Sequence, residues 1–191
     1  VKLYRNLDLQ HVIVGGLTNM RYFKAITLPA ASLNLSNLPA LEYVTLWDMG
    51  RLTDLKLEND GNLRHLMTHS LTSLKTVNVS TNLQLRRLFL ENGASINSVD
   101  VTKNTELRML VASWCSLLKS VDLSKNVKLF GVLLDDSDID TIDFSHNPEL
   151  FSVAMLRTPL KNLNFLANPN LRILYLDGCA QLKTVDLRAQ A

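Results

Sequence analysis

The chain has 191 residues, of which 47% are apolar and only 6% aromatic, so it is long enough for one domain with an aliphatic core. Its formal charge of +2 arises from intermixed acids and bases, which leaves no field that would argue for nucleic acid or a membrane surface. No apolar run approaches the roughly 20 residues of a membrane span, and two cysteines do not make a disulfide framework.

In chain order, the first stretch is irregular. Val12-Ile13-Val14 and Ile26-Thr27-Leu28 read as strands out of register with the later pattern. Residues 1–32 are therefore expected to form an atypical N-terminal cap or divergent repeats, of the kind that closes a stacked array. The chain starts at Val1 without a basic-then-apolar leader, which reads as processing or truncation. From Leu33 onward an apolar-x-apolar triplet recurs. It starts at Leu33, Val44, Leu55, Leu66, Val77, Leu88, Val99 and Leu110, then at Val121, Val132, Ile142, Val153, Leu163, Leu174 and Val185. Successive starts lie about 11 residues apart, a self-similarity that marks a repeat architecture. Two steps, Val132 to Ile142 and Val153 to Leu163, are shorter by a single position. Another aliphatic usually precedes each triplet by three positions, as at Leu41, Leu52, Leu63 and Leu74. Residues 33–191 are read as one continuous solenoid, and its end at Ala189-Gln190-Ala191 without a closing cap suggests truncation or a further unit.

The units alternate in kind. The A unit resembles Val121-Asp122-Leu123-Ser124-Lys125-Asn126, and its Asn recurs at Asn82, Asn104, Asn147 and Asn168. The B unit resembles Leu174-Tyr175-Leu176-Asp177-Gly178-Cys179, with Gly93, Cys115, Ser137 and Thr158 in the final slot. One coil is A plus B. Period-2 alternation predicts short strands with one buried face. A half-coil this short must hold a strand and its turns, which leaves no room for a regular helix. The expected fold is mainly β: a solenoid of flattened right-handed coils, parallel strands on both faces, and little helix. The Asn column fits this fold, because an amide side chain can satisfy the buried backbone groups of adjacent turns.

Runs such as Leu118-Lys119-Ser120-Val121-Asp122-Leu123-Ser124-Lys125-Asn126 and Ile139-Asp140-Thr141-Ile142-Asp143-Phe144-Ser145-His146-Asn147 carry a family resemblance. The chain resembles bacterial leucine-rich repeat proteins with nested half-repeats, of the internalin-J-like and Bacteroidetes surface type, over about Leu33 to Leu187. It differs from the internalin-J pattern in having no cysteine column within the triplet. The resemblance implies an extracellular or cell-surface location and a binding role.

The middle residue of each triplet should face outward. On the A side these residues form a small, polar, mostly acidic face: Asn34, Lys56, Asn78, Asp100, Asp122, Asp143, Asn164 and Asp186. Stacking would bring the like charges of Asp100, Asp122 and Asp143 roughly 5 Å apart, relieved by serine and lysine neighbours, with bound cations as the alternative. The B side is apolar and aromatic. Its candidate ligand-binding residues are Tyr43, Trp47, Met67, Phe89, Met109, Val111, Trp114, Leu133, Ile173 and Tyr175. Contiguous apolar faces of this extent mark interfaces, and aromatics and Met are enriched in interface cores. Two readings stay open: a recognition face for a protein or glycan, or a structural or oligomerisation scaffold whose apolar face another segment or subunit covers.

Other constellations point away from chemistry. His65 and His69 would lie about 13 Å apart on a strand, too far for one metal. The run Asp135-Asp136-Ser137-Asp138-Ile139-Asp140 reads as a solvated turn, with calcium as the alternative. Cys115 and Cys179 share a slot three coils apart, about 14 Å, beyond disulfide reach. With no phosphate loop, nucleophile elbow or metal motif, the chain is read as a non-enzyme without a cofactor or metal.

Overall fold

The computed structural model describes residues 1–190. Its strands are β1 (Lys2–Tyr4), β2 (Tyr22–Ile26), β3 (Ser32–Asn34), β4 (Tyr43–Trp47), β5 (Asp54–Lys56), β6 (His65–His69) and β7 (Arg87–Glu91). They continue as β8 (Met109–Val111), β9 (Gly131–Leu133), β10 (Ser152–Ala154), β11 (Asn162–Asn164), β12 (Ile173–Tyr175) and β13 (Thr184–Asp186). Among the described residues the only helix is the 3-10 turn Arg188–Gln190, and no helix is long and apolar enough to cross a membrane.

All pairing is parallel, and it links coil to coil. Nine strands form one sheet in the order β1-β2-β4-β6-β7-β8-β9-β10-β12. Within it the first residue of each B triplet faces the first of the next: Val44 with Leu66, Leu66 with Leu88, Leu88 with Leu110. The series runs on through Val132 and Val153 to Leu174. This fixed register is the sequence period expressed as hydrogen bonds. The fold is therefore the expected parallel β-solenoid of about eight turns. Its core is the stack of first and third triplet residues with their preceding aliphatics, from Leu33, Leu35 and Leu41 to Leu160, Leu163 and Phe165.

Two expectations need correcting. The A side carries only two short ladders, β3 with β5 and β11 with β13. Between them Val77–Val79, Val99–Val101, Val121–Leu123 and Ile142–Phe144 keep an inward-outward alternation without strand pairing. A shallow hollow of about 340 Å³, lined by Asn78, Ser98, Asp100, Ser120 and Asp122, lies across these unpaired coils. At the N-terminus the strand is Tyr22–Ile26, not Ile26–Leu28, and it pairs in register with β4. Phe23 and Ala25 fill the core positions there. Val12–Val14 forms no strand, although Val14 is buried.

The Asn column behaves as a ladder of donors. Asn126 Nδ2 donates to the carbonyls of Val101 (3.0 Å) and Asn104 (2.9 Å), and Asn104 repeats this one coil earlier with Val79 and Asn82. The acceptor half of the amide is not used: Oδ1 of Asn82, Asn104, Asn126 and Asn147 is buried with no partner. On the B side Cys115 Sγ donates to the Leu90 carbonyl, and Cys179 Sγ to the Met155 carbonyl, each at 2.9 Å. Both thiols are free and serve as substitute donors, and burial pushes the Cys115 thiol up to about 11. Asn126→Ala should cost about 1–3 kcal/mol by removing two buried amide bonds, although the Val101 and Asn104 carbonyls keep the backbone N–H groups of Asn104 and Leu107. An unchanged denaturant midpoint for that variant would discard the ladder as a source of stability.

A second column is conformational. The residue that opens each B turn has a positive φ: Arg5, Thr27, Asp48, Ser70, Asn92, Trp114, Asp136, Arg157 and Gly178. From Arg5 to Arg157 their N–H groups bond forward to the next coil, as from Thr27 to Trp47, Asp48 to His69 and Trp114 to Asp135. The left-handed conformation costs an L-residue roughly 1–2 kcal/mol, yet here it recurs whatever the side chain. The inter-coil bond holds it.

Candidate functional site

Because side chains alternate along a strand, the nine-stranded sheet turns two parallel columns outward. The first runs Tyr22, Tyr43, His65, Arg87, Met109, Gly131, Ser152, Ile173, and the second Lys24, Thr45, Met67, Phe89, Val111, Leu133, Ala154, Tyr175. At the head of the first column three rings stack. Tyr22 and Tyr43 lie 4.7 Å apart, Tyr43 and His65 4.5 Å apart, with planes within 10° of parallel. Burial, reinforced by the charges of Arg87, Arg86 and Arg64, holds the His65 imidazole below its usual range. Nearby, Lys24 Nζ stands 4.7 Å from the ring centre of Trp47, a cation–π contact.

The ten expected residues do not form one cluster. Tyr43 and Trp47 sit on β4 toward one end of the sheet, and Ile173 and Tyr175 on β12 at the other. Phe89, Met109 and Leu133 occupy the middle, half-buried, with Met67 beside them. Trp114 lies beyond the sheet in the turn after β8 and is half exposed. Val111 departs from expectation: it is 3% exposed, a short side chain roofed over between Phe89 and Leu133 in the same column. It offers no contact surface.

A further column escapes the triplet rule. One residue before each B strand stand Arg21, Glu42, Arg64, Arg86, Arg108, Phe130, Phe151 and Arg172. Phe130 and Phe151 stack at 4.9 Å. The signal is present in the sequence, since the leading leucine of these units is followed by Arg or Phe at Leu63-Arg64, Leu85-Arg86, Leu107-Arg108, Leu129-Phe130 and Leu150-Phe151. Attention to the triplet alone passes it over.

The polar A side has a local role. Asp100, Asp122 and Asp143 each accept the N–H of the residue two ahead, Thr102, Ser124 and Ser145, at 2.8–2.9 Å. These bonds close the turns; the Thr102 hydroxyl and N–H at Asp100, and the N–H and hydroxyl groups of Ser124 and Ser145 at Asp122 and Asp143, hold the carboxyls below their usual range. The acidic run disperses as well. Asp136 pairs with Arg157 and Asp140 with Lys161, while Asp135 accepts the Leu156 N–H. His65 and His69 point to different neighbours, Tyr43 for one and Asp48 and Ser70 for the other. Among the described residues no three His, Cys, Asp or Glu side chains gather around one point.

The coil-to-coil register, a continuous parallel sheet and a buried Asn ladder together decide the architecture. The fold is that of a leucine-rich repeat solenoid. No family model and no curated relative matches the chain. Solved structures similar to it include the functional domain of InlJ from Listeria monocytogenes, which contains a cysteine ladder. That match has 19% identity and a TM-score of 0.37, over 91% of this chain and 52% of that one. An internalin, InlF, of the same species shows 14% identity and a TM-score of 0.28 over 85% and 73% of the two chains. A chain of the TLR13–ssRNA13 complex shows 16% identity and a TM-score of 0.47 over 88% and 36%. This chain spans about half the length of the InlJ domain.

Proposed function

We propose that the chain is an extracellular or cell-surface recognition module that binds a protein or glycan through the outward side of its nine-stranded sheet. One observation carries the reading: aromatic and apolar side chains at Tyr43, Trp47, Met67, Phe89, Met109, Leu133, Ile173 and Tyr175 stand half-buried or exposed on one continuous face. A few desolvated aromatics commonly supply most of an interface's energy.

The test screens the immobilised chain against a glycan array and a panel of secreted and surface proteins. Any hit is then measured again with two double variants. Phe89→Ser with Tyr175→Ser should abolish binding with the circular dichroism spectrum unchanged. Asp100→Ser with Asp122→Ser should preserve it. The opposite pattern moves recognition to the A side. A stable dimer in sedimentation, dissociated by the Phe89 and Tyr175 changes, would establish the scaffold role instead.

A further inference from the structure

At the middle of the sheet's outward side lies a hollow of about 470 Å³, lined by Arg87, Phe89, Arg108, Met109, Phe130 and Glu149. Its floor is apolar. Met109 lies across the neighbouring strand because position 131 is glycine: a Cβ there would collide with Met109 Sδ. Phe89 and Phe130 line the same hollow. A flexible, polarisable Met in such a lining adapts to whatever apolar group it meets.

The rim is cationic, with Arg87 and Arg108 in the lining. Arg86 donates its backbone N–H to the Arg64 carbonyl, and Arg108 to that of Arg86, so these three arginines stand side by side on successive coils, with Arg87 next to Arg86. Among the described residues none of Arg64, Arg86, Arg87 and Arg108 forms an ion pair. Nε of Arg64 and of Arg86 is buried without a hydrogen-bond partner. The nearby acids are ion-paired to other residues, Glu42 with Arg21 at 2.9 Å and Glu106 with Lys128 at 2.5 Å, and reach Arg64, Arg86 and Arg108 only through space. Glu149 is the one acid in the lining. Guanidinium groups outside any ion pair, Arg87 and Arg108 exposed on the rim and Arg64 and Arg86 half-buried beside it, favour an incoming carboxylate, which they can grip through two parallel bonds.

We propose that this hollow docks an acidic peptide segment of a partner protein, with one apolar side chain on Phe89, Met109 and Phe130 and flanking carboxylates on Arg87 and Arg108. Arg86 and Arg64 extend the cationic track for acidic residues further along the segment. The proposal rests on the sheet being the recognition face, as argued above. An apolar floor within a cationic rim calls for a ligand that brings both kinds of group at once. A polyanionic glycan would use the arginines and leave the floor uncovered.

A peptide array tests this with the whole chain as analyte. Phe, Leu or Trp is set between runs of Asp or Glu, with control peptides that carry Ser in place of the apolar residue or Lys in place of the acids. Heparin and polygalacturonate serve as glycan probes. Acidic peptides with an apolar centre should bind best, losing about tenfold when that centre becomes Ser and about tenfold in Arg87→Ala/Arg108→Ala. Gly131→Ala, which only displaces Met109, should weaken the apolar-centred peptides and leave the Ser controls unchanged. Equal binding of Ser-centred peptides or of the glycans, or binding of no acidic peptide, overturns the proposal. If a partner found on the panel loses binding on Phe89→Ser/Tyr175→Ser but keeps it in Arg87→Ala/Arg108→Ala, this proposal fails while the wider reading stands.

Discussion

Leu123→Ala should lower stability by about 2–5 kcal/mol, the usual cost of emptying a buried leucine site whose surroundings relax only in part. Leu123 is 1% exposed in mid-stack, and its carbonyl accepts the amide of Asn147 from the next coil. Backbone shifts that would fill the cavity are therefore resisted on both sides. Leu187 holds the same repeat position three coils later but is 42% exposed. Leu187→Ala should consequently cost under about 1 kcal/mol. Urea denaturation of both variants compares one residue type at one repeat position with burial as the main variable. Equal losses would mean that burial within the stack does not set the stability of a coil.

Asp60 supplies the second large effect. It occupies the Asn slot one coil before Asn82, fully buried, and its Oδ1 accepts the Leu38 N–H at 2.7 Å while Oδ2 has no partner. Burial, aided by Glu58 and opposed by the Leu38 bond, lifts its carboxyl from 3.8 to about 6. The folded state therefore binds this proton more tightly than the unfolded chain. Its contribution is complete below about pH 4 and is lost as pH rises through about 6, a span of about two pKa units or up to about 3 kcal/mol. Asp100, Asp122 and Asp143 have lowered values and act in the opposite sense, so the whole-protein profile is a sum of both. Asp60→Asn isolates the effect. Its amide can donate backward as Asn82 does to Leu57 and Asp60, so the variant should be more stable than the parent at pH 7 and should lose that margin near pH 4. A stability difference that stays constant from pH 4 to pH 8 would show that Asp60 does not titrate on unfolding.

Much of this molecule is legible in its sequence. The triplet period predicts the coil, the parallel register and the identity of the core, because each link needs only alternation and spacing. Alternation is mute, however, about pairing. Val99-Asp100-Val101 reads like Val44-Thr45-Leu46, yet only the second joins a ladder. Whether neighbouring coils come close enough to bond on the A side depends on the packing of whole coils, not on a local pattern. At the N-terminus Ile26-Thr27-Leu28 imitates a triplet, although the buried pair is Phe23 and Ala25 and Thr27 already turns. The face residues are assignable by parity alone, whereas the roofing of Val111 depends on the sizes of its two neighbours. The arginines and phenylalanines that precede the strands recur once per coil and are readable throughout.

The ladder of positive-φ residues bears on how such a chain can change over generations. Nine successive rungs hold Arg, Thr, Asp, Ser, Asn, Trp, Asp, Arg and Gly in one backbone conformation. When geometry is imposed by the adjoining coil, a replacement at a rung alters what the surface displays while the path of the chain stays the same. The conformational penalty for an L-residue there is roughly 1–2 kcal/mol, so the backbone tolerates varied rungs, and coupling enters where neighbouring rungs touch, as Asp136 with Arg157 and Ser70 with Asn92. A lineage could revise the rim beside its sheet one coil at a time, with Trp114 as one such revision, and never have to redesign a turn.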